Sequence, residues 1–156
     1  MEIKSEVFEN HENMPSKHTC DEENISPPLK ILSAPEDTKS FVLICEDPDL
    51  PKEVIESMGI NVFDHWVSFN ILSEKTEIAE GEEPGIRGKN SAGAKGYAGP
   101  CPPKEYEPTK HRYIFKVYAL DTKLDLEEGS SKDEVKEAMK GHILDSAELV
   151  GKYEKQ

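Results

Sequence analysis

The amino-acid sequence predicts one domain of mainly antiparallel β-structure with helical segments near the C-terminus. Compact apolar runs with strand character come first and patterns with helical spacing come last, an order typical of antiparallel β-structure with appended helices. At 156 residues, the chain has the length of one domain with one hydrophobic core. No internal repeat or linker divides it, so we expect residues 1–156 to form a single domain.

Three runs carry the strand prediction. The run "SFVLIC" at 40–45 is apolar without interruption, which is typical of a strand covered on both faces. The runs "HWVSFNIL" at 65–72 and "HRYIFKVYAL" at 111–120 alternate instead. Because successive side chains of a strand point to opposite faces, we expect His65 to share a face with the apolar residues at 67, 69 and 71. By the same rule, His111 shares a face with Tyr113.

The helical segments follow these runs. Ser131 and Glu134 have the spacing of a capping box at a helix N-terminus, and apolar residues then recur with helical spacing. Gly141 predicts a break, after which the apolar residues at 143–150 indicate a second short helix. Residues 81–110 hold six of the ten glycines, and a long glycine-rich connection of this kind is usually functional or disordered.

Composition and charge exclude several classes of protein. The chain is 35% apolar and 33% charged, and its compact apolar runs argue for a folded core rather than disorder. Its formal net charge of −13 disfavours binding to nucleic acid or to an anionic membrane surface. No apolar run approaches the roughly 18 residues of a membrane-spanning helix, so we expect no integral membrane association.

The cysteines and the charged N-terminus predict a cytoplasmic location. Cys20, Cys45 and Cys101 are odd in number and widely spaced, and they fit neither a disulfide framework nor a Cys-x-x-Cys metal site. The segment "MEIKSEVFEN" lacks the apolar run of a signal peptide. We therefore expect a reducing compartment.

Two aspartates at 47 and 49 follow the apolar run at 40–45, in the segment "EDPDLP". Asp47 and Leu50 each precede a proline, which favours extended geometry. In an extended segment residues i and i+2 project to the same side, so Asp47 and Asp49 are predicted to present their carboxylates together. A proline-braced turn explains the segment alone equally well, whereas a ligand site requires further polar groups nearby.

Three other features supply such groups. His65 and His111 each begin a predicted strand, and imidazolium groups donate hydrogen bonds to phosphate or carboxylate oxygens. In "GYAGPCPP" at 96–103, Gly99 allows close approach of the backbone to a ligand. Together these features predict an anion site at one rim of the sheet.

Two enzymatic alternatives use the same groups. Cys101 with His65 or His111 is a candidate nucleophile and base, although the flanking prolines leave it without the helix N-terminus that activates many thiolates. Asp47 and Asp49 with the two histidines are candidate ligands of a divalent metal. Their spacing matches no familiar metal motif, so we expect no cofactor and no catalytic residue.

Several spaced motifs together resemble the phosphatidylethanolamine-binding protein family, which includes the Raf kinase inhibitor protein. In chain order they are "HTCDEENISPPL", "EDPDLP", "HWVSFNI", "GYAGPCPP", "HRYIFKVYAL" and "AMKGHILDSAELVGKY". They span about residues 15–153, and the length and the "CPP" cysteine are similar to the bacterial and archaeal branch.

The resemblance implies a fold, a pocket and a class of ligand. The fold would be an antiparallel β-sandwich-like arrangement of a large central sheet and a smaller sheet, with short C-terminal helices. The pocket would lie at one rim and accept phosphate-like anions, including phospholipid head groups. Carried over by position, its residues would be Asp47, Asp49, His65, Gly99, Pro100, His111 and Tyr113. The segment 104–110 is longer than is usual in this branch and is expected to reshape the pocket mouth.

These observations predict a small binding protein without enzymatic activity. Its ligand would be a small anion such as phosphate, a carboxylate or a phosphoethanolamine-like group. His65 and His111 would donate to the anion, while the two aspartates would orient the histidines or receive a cationic group. Two further partners are left open. One is a protein that this chain would regulate in the manner of a kinase inhibitor, and the other is a second copy of the chain in a homodimer. The alternative is a hydrolase or metal-dependent enzyme built on the Asp/His cluster.

Overall fold

The computed structural model describes all 156 residues and contains two β-sheets and two α-helices. The strands are β1 (Glu2–Lys4), β2 (Glu12–Asn13), β3 (Leu29–Leu32), β4 (Ser40–Asp47), β5 (Phe63–Leu72), β6 (Glu77–Ile78), β7 (Ile86–Arg87), β8 (Lys110–Leu120) and β9 (Ile143–Glu154). The helices are α1 (Lys52–Met58) and α2 (Lys132–Met139), and a 3-10 turn covers Ser16–His18.

The two sheets confirm the predicted fold class. The large sheet has six strands in the order β2-β9-β8-β4-β5-β7, and the small sheet has three in the order β1-β3-β6. All pairs are antiparallel except β2 with β9. None of the helices is long and apolar enough to cross a membrane.

Strand β4 lies at the centre of the large sheet and is buried along its whole length, as its uninterrupted apolar run predicts. One face of the large sheet packs against the small sheet through a cluster of 17 buried residues, and the other face packs against α2 through a cluster of eight. Because β4 alternates between these clusters, Phe41, Leu43 and Cys45 face the small sheet. Asp47 continues that face at the end of the strand.

Strand β5 departs from simple alternation at two β-bulges. At the first bulge, Cys45 pairs with Trp66 and Glu46 with Asp64, so His65 is the extra residue. The second bulge lies near Asn70, whose φ is 54°. Val67 and Phe69 therefore pack on the α2 side of the sheet, away from His65. The prediction that His65 shares their face is wrong, because each bulge reverses the alternation.

The C-terminal part of the chain holds one helix rather than two. Helix α2 begins with the predicted capping box of Ser131 and Glu134. The predicted second helix at 143–150 is instead part of β9, which pairs with β8 from Leu120 back to Lys110. The long unpaired side of β8 offers a full ladder of backbone hydrogen bonds, and this tertiary pairing overrides the local helical spacing. The other helix, α1, lies between β4 and β5.

Candidate functional site

A cavity of about 320 Å³ lies at the end of the large sheet where β4 ends and where β5 and β8 begin. Because β4 runs antiparallel to both neighbours, residues from three distant parts of the chain meet at this rim. The lining includes five of the seven predicted site residues, namely Asp47, His65, Gly99, His111 and Tyr113. The other two, Asp49 and Pro100, are not part of it.

His111 is held by hydrogen bonds at both ring nitrogens. Its Nδ1 lies 2.7 Å from Asp47 Oδ2, and its Nε2 donates to the carbonyl oxygen of Pro108 at 2.8 Å. Burial disfavours the charged imidazolium, but the hydrogen bond and the charge of Asp47 outweigh burial and raise the pKa of His111. The two side chains form a buried ion pair, with 2% of Asp47 and 1% of His111 exposed.

Asp49 has a different partner from Asp47. Its carboxylate accepts from the Arg112 side chain, at 2.9 Å from Nε and 2.8 Å from the terminal nitrogen, and from the Arg112 backbone N–H. The hydrogen bond from the guanidinium is the main reason why the pKa of Asp49 is lowered. Adjacent residues of β8 point to opposite faces, so Asp47 on His111 and Asp49 on Arg112 lie on different sides of the sheet. The prediction that the two carboxylates point to the same side is wrong.

His65 is buried in the first bulge of β5 and has one ring nitrogen free. Its Nδ1 donates to the carbonyl oxygen of Ala98 at 2.6 Å, and a carbonyl oxygen only accepts, so Nδ1 carries the proton. Burial is the main cause that lowers the pKa of His65. The neutral ring therefore presents the lone pair of Nε2, which makes no hydrogen bond within the protein.

Tyr113 stands between the two histidines. Its ring centroid lies 5.1 Å from that of His65 in an edge-on arrangement and 6.4 Å from that of His111 in a stacked one. The side chain is fully buried, and its hydroxyl has no hydrogen-bond partner. A buried hydroxyl without a partner is unusual in a native structure, which makes Tyr113 a candidate donor to a ligand.

The segment 99–103 has one free backbone donor. The N–H of Gly99 donates to Asn24 Oδ1 at 2.9 Å, and a Cβ at position 99 would overlap that oxygen and the carbonyl oxygen of His18. The glycine therefore permits close packing of two loops, and its N–H is not available to a ligand. Positions 100, 102 and 103 are prolines without an N–H. The N–H of Cys101 is left as the donor without a partner in the protein.

A disulfide joins Cys20 to Cys101 beside the cavity and connects loops that are 81 residues apart in sequence. The expectation that the cysteines do not fit a disulfide framework is wrong for Cys20 and Cys101, and only Cys45 is free. Cys101 therefore has no thiol to act as a nucleophile. The cytoplasmic location stays a prediction, without the support that unpaired cysteines would give it.

The remaining lining is mostly apolar and carries no positive side chain apart from the paired His111. Val54 and Met58, one turn apart on α1, form one wall. No lysine or arginine lines the cavity, and the charges of Asp47 and His111 cancel. The cavity is therefore nearly neutral and offers a few directional polar atoms.

The metal alternative requires several ligands close together. No group of three or more histidine, cysteine or acidic side chains is placed to hold a metal ion. Asp47 and His111 bind each other, and Asp49 binds Arg112.

The fold is that of a small binding protein of the phosphatidylethanolamine-binding type. The family model of the phosphatidylethanolamine-binding protein matches residues 4–154, and the chain belongs to this family, as its motifs predict.

Relatives and solved structures agree with this membership. The UPF0098 protein of Methanothermobacter thermautotrophicus is 46% identical over 98% of each chain, and that of Pyrococcus horikoshii is 45% identical over 97% of this chain and 76% of its own. The crystal structure of a putative phosphatidylethanolamine-binding protein homolog from Chlamydia trachomatis is 42% identical, with a TM-score of 0.91 over 99% of this chain and 97% of that one. The Escherichia coli protein YbcL, described as a new member of the mammalian family, is 29% identical, with a TM-score of 0.85 over 99% and 98% of the two chains.

Several residues of the site were missed by sequence reasoning. Asn24, Ala98 and Pro108 lie in loops and accept hydrogen bonds from residues of the site. No local sequence pattern predicts these contacts. Arg112 directly follows His111, so strand alternation alone predicts that it lies on the opposite face of β8. Pro108 lies in the segment 104–110, so this longer loop supplies one of the two hydrogen bonds that fix His111.

Proposed function

We propose that the protein binds a small phosphate-like anion in the rim cavity and does not catalyse its conversion. The observation that carries this proposal is the hydroxyl of Tyr113, which is buried without a partner on a side chain that lines the cavity. Leaving such a group unpaired costs roughly 1–3 kcal/mol. A ligand oxygen that accepts its hydrogen bond removes that cost.

The polar atoms around Tyr113 indicate where the anionic group of the ligand would bind. The anionic group lies beside Tyr113, His65 and the free N–H of Cys101. His111 keeps both of its donors on Asp47 and Pro108, and Asp47 compensates its positive charge. In this arrangement His111 does not donate directly to the anion, which refines the role given to it from the sequence. Asp47 orients His111.

The cavity also sets the size of the ligand. A volume of about 320 Å³ is at the lower end of the range for small-molecule sites. It accommodates a phosphate or carboxylate with a short substituent, which would contact the apolar wall of Val54 and Met58. Phosphoethanolamine and the head group of a phospholipid belong to this class, in keeping with the family of the chain.

The proposal of binding without catalysis is supported by two of the three candidate reactive groups, since only His65 keeps a free ring nitrogen. Cys101 is in a disulfide, and neither nitrogen of His111 is free to accept a proton from a nucleophile. Turnover of phosphatase or esterase substrates, abolished by Asp47→Asn, would contradict it. Regulation of a protein partner and formation of a homodimer remain predictions.

Calorimetric titration tests the binding proposal. Phosphoethanolamine, phosphate and acetate are titrated into the wild type, His65→Ala and Tyr113→Phe. We expect weak binding to the wild type and a loss of binding in His65→Ala. Affinity should fall at least about tenfold in Tyr113→Phe, since a hydrogen bond to a charged group contributes about 1.5–3 kcal/mol. Tyr118→Phe is the matched control, because Tyr118 lies on the same strand but outside the cavity. An absence of heat with all three anions would contradict the proposal.

A further inference from the structure

The disulfide between Cys20 and Cys101 lies where the rim cavity meets the solvent. Both cysteines line the cavity, and Cys101 is exposed while Cys20 is half-buried. Neither belongs to a hydrophobic core cluster. Exposed disulfides are the labile or regulatory ones, whereas structural disulfides resist reduction. The position of this bridge therefore suits exchange with an external thiol.

The bridge holds the first residue of a loosely attached segment, residues 101–107, which we call the mouth segment. No hydrogen bond or ion pair joins residues 102–107 to the rest of the protein. Five of the seven residues of the mouth segment are exposed, and Pro102 is the one that is buried. Apart from the packing of Pro102, the disulfide is therefore what fixes this segment beside the cavity.

The chain on either side of the mouth segment is held independently of the disulfide. Before it, the N–H of Cys20 donates to the carbonyl oxygen of Pro100 at 3.0 Å. After it, Nε2 of His111 donates to the carbonyl oxygen of Pro108 at 2.8 Å. Breaking the S–S bond therefore leaves the flanking chain in place and releases the mouth segment at one end.

We propose that the disulfide is a redox latch on the rim cavity. In the oxidised protein the mouth segment is fixed against the cavity, and in the reduced protein it moves away and the ligand is held more weakly. The effect on the ligand rests on the proposed function, since the N–H of Cys101 is the free backbone donor of that site. Reduction takes this donor out of its fixed position.

The switch is a thiol–disulfide exchange with a dithiol, such as that of a Cys-x-x-Cys protein. A thiolate of the dithiol bonds to the sulfur of the exposed Cys101, and the S–S bond breaks with its electron pair on Cys20, which takes up a proton. The second thiol of the dithiol then attacks the mixed disulfide, and Cys101 leaves and is protonated. The protein gains two electrons and two protons, and the dithiol becomes a disulfide. The buried thiol of Cys45 takes no part.

Backbone nitrogen-15 relaxation tests the latch without a ligand. Order parameters are measured for the oxidised protein and for the protein reduced with dithiothreitol. We expect those of residues 104–107 to fall on reduction to below about 0.6, the range of flexible backbone. The amide signals of Trp66 and Phe115 in the core should keep their native positions, because the flanking hydrogen bonds remain.

Two variants show whether this disulfide is responsible. In Cys20→Ser/Cys101→Ser the latch is absent, so the mouth segment should be mobile with and without dithiothreitol. Cys45→Ala is the matched control, because it removes a cysteine but keeps the disulfide. It should respond to dithiothreitol as the wild type does.

Calorimetry with phosphoethanolamine measures the consequence for the ligand. We expect the affinity of the wild type to fall at least about tenfold on reduction, the effect of losing one hydrogen bond to a charged group. The affinity of Cys20→Ser/Cys101→Ser should match that of the reduced wild type and should not change with dithiothreitol.

Each outcome decides a different part of the inference. Order parameters that do not change on reduction would overturn the latch. Loss of the native signals of Trp66 and Phe115 would overturn it as well, because the bridge would then hold the whole fold. A mobile mouth segment with unchanged affinity would refute control of the ligand. If phosphoethanolamine binds neither form, the proposed function fails, whereas the relaxation data still show whether the segment is released.

Discussion

Replacing Asp47 by alanine should destabilise the protein much more than replacing Asp49, although the two aspartates are equivalent in the sequence motif. Asp47 and His111 are almost fully buried, and removal of one partner of a buried ion pair costs about 3–5 kcal/mol. The histidine can lose its charge in response, so we expect the lower end, about 3 kcal/mol. Asp49 pairs with an arginine whose side chain is 51% exposed, and such a pair contributes about 1 kcal/mol or less.

Urea denaturation at pH 6, with the disulfide kept oxidised, measures both costs. The free energy of unfolding should fall by about 2 kcal/mol more in Asp47→Ala than in Asp49→Ala. The raised pKa of His111 gives the sign of the pH dependence. Its pair is fully present below the unfolded pKa of about 6.5 and is lost as pH rises through the higher folded pKa, so the cost of Asp47→Ala should shrink in alkaline solution. Equal costs for the two variants at pH 6, or a larger cost for Asp49→Ala, would refute the assignment of partners.

Two further predictions concern the histidines and the disulfide. An NMR titration should give His111 a pKa above about 6.5 and His65 a pKa below it, because Asp47 stabilises one imidazolium while burial disfavours the other; the reverse order would contradict the site electrostatics. The double variant Cys20→Ser/Cys101→Ser should lose about 4.5 kcal/mol of unfolding free energy in urea, the chain-entropy value for a bridge across 81 residues. A double variant as stable as the wild type would show that the bridge does not constrain the unfolded chain.

The regular parts of the fold followed from local patterns in the sequence. Strand β8 has no bulge between His111 and Ala119, so alternation placed His111 and Tyr113 on one buried face correctly. The capping box at Ser131 was equally local, since both of its hydrogen bonds lie within four residues. The uninterrupted apolar run of β4 predicted a strand covered on both faces, because an exposed face would carry polar residues.

The rest depended on contacts between distant residues. The bulges of β5 arise from its pairing with β4, so alternation within 65–72 could not show that His65 turns away from Val67. The segment 143–150 has helical spacing, but its strand conformation is set by the neighbouring β8. The partner of Cys20 lies 81 residues away, and no spacing rule identifies such a pair in a chain with three cysteines. Of the seven residues predicted for the site, five line the cavity, and Asp49 and Pro100 do not. The direction of each hydrogen bond depends on loop carbonyl groups that no local pattern in the sequence places.

The most direct test of the central claim is an amide NMR titration with phosphoethanolamine, which shows where the ligand binds. Anion binding in the rim cavity should move the backbone signals of His65, Ala98 and Tyr113 in a saturable way. Two larger surface grooves, of about 580 and 630 Å³, lie along the small sheet and include Lys4 and, in one case, Lys30. Saturable shifts confined to those lysines, or no shifts at all, would contradict binding at the rim cavity.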